Sequence, residues 1–134
     1  MLLPNNTIVA VADGEKFHLF RSSGHETGKH LEPLGHPHVE GSNHAGGVHH
    51  ISKAANPDEK QDAKDMHAAA TAEWLNEQAI ANKFEHAVVI APAKVLGELR
   101  KHYHKALESK ILKEISKDMT GQSRDTIVHA IEHA

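Results

Sequence analysis

A chain of 134 residues is long enough to bury a core of its own as one domain. Having no cysteine, it excludes disulfides, thiolate-ligated zinc and iron–sulfur clusters. The formal net charge is -3 with histidine neutral, and the N-terminal "MLLPNNTIVAVADG" has neither a leading positive charge nor a run near the roughly 20 apolar residues of a membrane span, so a cytoplasmic, unanchored protein is expected.

Residues 7–12 are apolar and β-branched, Asp13-Gly14 is a turn pair, and Phe17 and Leu19 alternate with Lys16 and His18. This pattern predicts a β-hairpin closed by a two-residue turn, whose positive φ at both central positions aspartate and glycine tolerate. Residues 22–29 carry loop chemistry, and "HLEPL" predicts a third short strand.

From residue 35 to residue 57 no period of two or 3.6 survives, and glycine, histidine, asparagine, serine and proline dominate. A loop of more than about 15 residues in a compact domain tends to be functional or disordered. "HPHVEGSNHAGGVHH", with adjacent Gly46 and Gly47, is therefore the first place to look for function.

Residues 58–81 are helical in pattern, with acidic residues in the first turn and Ala63, Met66, Ala70 and Trp74 spaced as one core-facing stripe. "HAVVIAP" is a nearly continuous apolar strand of the kind buried on both faces, and after a long helix it predicts a β-α-β crossover. Beyond Pro92, Val95, Leu96, Leu99, Tyr103 and Leu107 recur at helical spacing, which predicts one helix with His102 and His104 on opposing sides. "KILKEISKDM" alternates like a half-exposed strand, Gly121 marks a break, and Ile127, Val128 and Ile131 line one side of a closing helix capped by Thr120 or Ser123. The expected fold class is α/β, a mixed sheet of about five strands with helices packed against it.

This order of elements, with the strings "VADGEKFHLF", "VVIAPAKVLGELRKHY" and "EISKDMTG", resembles the bacterial host-attachment protein family across nearly the whole chain. That family is itself similar to the middle domain of archaeal and eukaryotic class 1 translation release factors. In the release factors a strand leads into a Gly-Gly-Gln loop followed by a long helix. Here Gly41, Ala45, Gly46 and Gly47 match that loop, His44 lies where a basic residue is usual, and Val48 stands in the glutamine position.

The resemblance implies a loop that enters the peptidyl-transferase centre and promotes hydrolysis of the ester joining peptide to tRNA, with His44, Gly46, Gly47 and Val48 as the catalytic candidates. Glycines let the backbone approach closely, and backbone N–H groups stabilise charge developing on the ester. Valine keeps its N–H but has no side-chain donor, and loss of one such donor costs about 2.7 to 4 kcal/mol. A non-catalytic domain is therefore expected, one that occupies the ribosome or rescues it without reading codons, because decoding belongs to separate domains in release factors. The family label also implies an alternative role in attachment to host cells through another partner, although the missing secretion signal argues against an adhesin.

A local excess of positive charge, with Lys94, Arg100, Lys101, Lys105 and Lys113 as the RNA-binding candidates, fits ribosome or tRNA contact through phosphate neutralisation. No base-reading motif accompanies it, so sequence-specific DNA binding is not expected. Fourteen histidines run from His18 to His133, a scatter that reads as a lineage bias or a pH-dependent surface. The loop histidines His36, His38, His44, His49 and His50 raise a further alternative, a zinc, copper or nickel site; no other cofactor is expected. An acyl-transfer hydrolase built on Ser42 and these histidines lacks a nucleophile-elbow string, and Asp13 reads as a turn residue.

Overall fold

The computed structural model of the chain describes residues 3–4, 6–22, 31–35, 37 and 57–134, with the backbone alone for 57–60. Strands β1 (Thr7–Ala12), β2 (Phe17–Ser22) and β3 (Leu31–Gly35) precede the 24-residue helix α1 (Pro57–Ile80). Strand β4 (His86–Ala91), helices α2 (Ala93–Arg100) and α3 (Lys105–Glu108), strand β5 (Ile111–Ser116) and helix α4 (Arg124–Glu132) complete the order. The sheet runs β3-β2-β1-β4-β5, antiparallel between β1, β2 and β3 and parallel from β1 to β4 to β5. This is the expected α/β fold with a mixed five-stranded sheet.

Strand alternation sends the two halves of β1 to different layers. Val9 and Val11 join Val88, Ile90 and Ile115 beneath Ile127 and Ile131 of α4. On the opposite face Ile8 and Ala10 meet Leu75 and Ala79 of α1, while Val89 and Ala91 meet Ala68, Ala72 and the α2 residues Val95, Leu96 and Leu99. Helices α1 to α3 therefore cover one face and α4 the other. Among the described residues no helix is long and apolar enough to cross a membrane.

Three local expectations are corrected. The hairpin turn has Gly14 and Glu15 as its central pair, because Asp13 N–H donates to the Lys16 carbonyl at 3.1 Å and positive φ falls on Gly14 alone, at 92°. Asp13 instead accepts the N–H groups of Glu15 (2.8 Å) and Lys16 (2.7 Å) through Oδ1. On α1 Ala70 is buried as expected, together with Ala68, Thr71, Ala72, Leu75 and Ala79, whereas Ala63 is exposed and Met66 and Trp74 are half-buried. Small side chains carry a weak hydrophobic signal but let the helix approach the sheet; Trp74 stays at the rim, edge-on to Phe17 at 5.5 Å.

The expected single helix after Pro92 is broken at residues 101–104. Asn76 of α1 grips that turn, donating from Nδ2 to the His102 carbonyl (2.8 Å) and accepting His104 N–H at Oδ1 (2.9 Å). His104 then caps α3, its Nδ1 accepting Ala106 N–H at 2.9 Å. His102 and His104 thus sit in a turn and not on opposing sides of a helix.

Candidate functional site

The parallel strands β1, β4 and β5 end on one edge of the sheet, where ligands of open α/β folds bind. Asp13 follows β1 there, and the segment 117–120 follows β5. The two are joined across the edge: Thr120 Oγ1 lies 2.9 Å from Asp13 Oδ2 and 3.1 Å from Asp118 Oδ1. One hydroxyl hydrogen serves two carboxylates, so it donates to one at a time. Ser123, not Thr120, caps α4, with its Oγ accepting Thr126 N–H at 3.2 Å.

Gly14 lies buried beneath α1 and α2, where an added Cβ would stand 3.2 Å from Lys64 Cβ and 3.5 Å from Val95 Cγ2. His67, three residues further along α1, is half-buried, and its Nδ1 is buried with no hydrogen-bond partner among the described residues. Burial lowers its pKa, and the negative charges of Asp13 and Glu15 oppose that shift only in part. Burial pushes Asp13 the other way, but the N–H groups of Lys16 and Glu15, the Thr120 hydroxyl and the Lys16 charge together hold its carboxyl below the ordinary value. Sequence patterning did not single out His67, which lies between the apolar positions assigned to the helix core; only its placement over the hairpin turn marks it.

Both shifts act in one direction on stability. A group whose folded pKa is depressed stabilises fully above its unfolded pKa and loses that contribution as pH falls. For His67 the loss begins near its unfolded value of 6.5; for Asp13 it begins near 3.8. As pH is lowered from about 7.5 to 5.5, His67→Gln is expected to gain stability relative to the unsubstituted chain, read as urea midpoints. Parallel pH profiles would remove His67 from the titration.

The described flanks of the long loop converge on the same edge. Two antiparallel pairings make β3 parallel to β1, so it runs from Leu31 toward that edge and ends at Gly35, whose φ is 97°. Helix α1 descends from the edge: Lys64 lies against Gly14, while Leu75 and Ala79 pack near Ile8 at the other end of β1. The seven residues that precede Lys64 in α1 rise about 10 Å past that contact. The loop candidates His36, His38, His44, Gly46, Gly47, Val48, His49 and His50, with Gly41, Ser42 and Ala45, lie outside the described residues.

A sequence model of bacterial archaeo-eukaryotic release factor family 12 matches residues 6–131. The chain belongs to this family. Among curated proteins none matches the chain.

In this release-factor-like domain the five basic candidates do not form one patch. Arg100 binds Glu114 of β5 through Nε (2.9 Å) and Nη2 (2.7 Å), and Lys101 pairs with Glu98 at 3.1 Å. Glu114 also accepts the Tyr103 hydroxyl at 3.0 Å, and burial first, then the Glu114 charge, drives the phenol pKa upward. Lys94, Lys105 and Lys113 are exposed, with no ion-pair partner among the described residues. Lys113 shares strand parity with Ile115, which faces α4, so it is on the opposite side of the sheet from the α2 and α3 cations. No cluster of three or more histidine, aspartate or glutamate side chains suited to a metal occurs among the described residues.

Proposed function

We propose that this domain is a non-catalytic, RNA-associated relative of the release-factor middle domain, acting in the cytoplasm by occupying the ribosome. Membership of the release-factor family across residues 6–131 carries the reading. Val48 in the glutamine position supports a loop that keeps the close-approaching Gly46-Gly47 backbone without the side-chain donor. The convergence of both loop flanks on the carboxyl edge supports a single working end, anchored by the Asp13–Thr120 contact. Exposed Lys94 and Lys105 supply phosphate contacts; Arg100 and Lys101, already paired with carboxylates, contribute less to counterion release.

Co-sedimentation with bacterial ribosomes at low and moderate salt tests the proposal. The intact chain is expected to pellet with ribosomes in a salt-sensitive manner, and a Gly46→Ala/Gly47→Ala variant is expected to pellet less. Neither form should release peptide from peptidyl-tRNA. Absence of pelleting by both forms at low salt would end the ribosome reading, and peptide release by the intact chain would overturn its non-catalytic part.

A further inference from the structure

His129 and His133 are one turn apart at the end of α4, both exposed. Their ring centroids are 4.1 Å apart and their planes are tilted by 35°. The His133 Nδ1 is 3.0 Å from the His129 carbonyl oxygen. A carbonyl can only accept, so Nδ1 carries the hydrogen, and in the neutral ring the lone pair is on Nε2. The ring nitrogens of His129 have no hydrogen-bond partner among the described residues.

We propose that His129 and His133 form a two-imidazole chelate for a divalent transition-metal ion. Four-residue spacing puts both rings on one helix face, the geometry that presents paired histidines to zinc in helical metal sites. The backbone hydrogen bond at His133 orients the ligand and sets its tautomer, the usual office of a partner outside the coordination sphere. The helix C-terminus adds partial negative charge within reach of the cation. Bringing a His129 nitrogen onto the ion held by His133 Nε2 requires only rotation of an exposed side chain. No third protein ligand joins them among the described residues, so water completes the shell and the order of affinity is that of imidazole sites, Cu²⁺ above Ni²⁺ and Zn²⁺. Its two residues lie on α4, outside the long-loop sequence, and the inference is independent of the ribosome proposal.

Five histidines in the loop would confound a titration, so the test uses the full chain with His36, His38, His44, His49 and His50 replaced by glutamine. Calorimetric titration with Ni²⁺ alone at pH 7.5 is expected to show one ion bound per chain. Adding either His129→Gln or His133→Gln is expected to weaken binding at least about tenfold, because each removes one arm of a chelate. His86→Gln, a half-buried site on β4, should leave binding unchanged, and unchanged urea midpoints would show that all variants fold. No binding in the loop-substituted chain, or binding insensitive to one of the two α4 substitutions, would overturn the proposal.

Discussion

Gly14→Val is expected to destabilise the fold by about 2–4 kcal/mol, measured as a lowered urea midpoint with an unchanged slope. Two costs combine. At a φ of 92° an L side chain sets its Cβ against the following carbonyl, which costs about 1–2 kcal/mol for any residue other than glycine. The new Cβ would also meet Lys64 Cβ at 3.2 Å, Lys64 Cγ at 3.3 Å and Val95 Cγ2 at 3.5 Å, so α1 must retreat from the hairpin turn. Valine adds two methyl groups to that contact, and Gly14→Ala should fall between valine and the unsubstituted chain. A valine variant within about 0.5 kcal/mol of the parent, the range of ordinary surface changes, would show that the turn gives way freely.

Thr120→Val is expected to cost about 1–3 kcal/mol, while Thr120→Ser stays close to the parent. The substitution nearly preserves shape at a residue only 9 % exposed, so the loss reports the hydroxyl. Asp13 Oδ2 and Asp118 Oδ1 lose the hydroxyl hydrogen they share, and Asp118 Oδ1 keeps the Thr120 N–H at 3.4 Å. Asp13 keeps its two backbone N–H bonds, which limits the cost but leaves its pKa less depressed. Its contribution, present above an unfolded value of 3.8, should then disappear at higher pH on acidification than in the parent. Equal acid-unfolding midpoints for valine and serine variants would show that the hydroxyl does not hold the edge together.

Local patterns were legible wherever the chemistry is local. The half-exposed segment at residues 111–116 forms β5, although a register shift against β4 puts Ile111 on the α1–α3 side and Ile115 on the α4 side. "HLEPL" becomes β3, and the apolar run at residues 86–91 becomes a strand buried between two helical layers. The hairpin was legible although its turn is displaced by one residue, because a side-chain cap from Asp13 uses the same residue type as a turn centre.

Misreadings arise where a distant residue decides. Tyr103 and Leu107 continue the apolar period of Val95 and Leu99, but Asn76, 26 residues before His102, satisfies the backbone of a turn between them. The positive charge of α2 is countered from β5, where Glu114 binds Arg100, so a basic segment in sequence is partly neutral in space. Ala68, Ala72 and Ala79 lie on the core face of α1 because the sheet approaches there, a preference that their own hydrophobicity scarcely signals.

The sequence alone determined the order of elements apart from the break between α2 and α3, the α/β class, the family resemblance and the valine at the end of the Gly-Gly motif, since each is written in neighbouring residues. Tertiary structure alone decided that Asp13 and Thr120, 107 residues apart, meet at one edge, that His67 lies over the hairpin turn, and that both flanks of the long loop converge there. Periodicity records which face of an element avoids water; which elements then meet depends on closing long stretches of chain, and that is settled only when the whole sheet has paired.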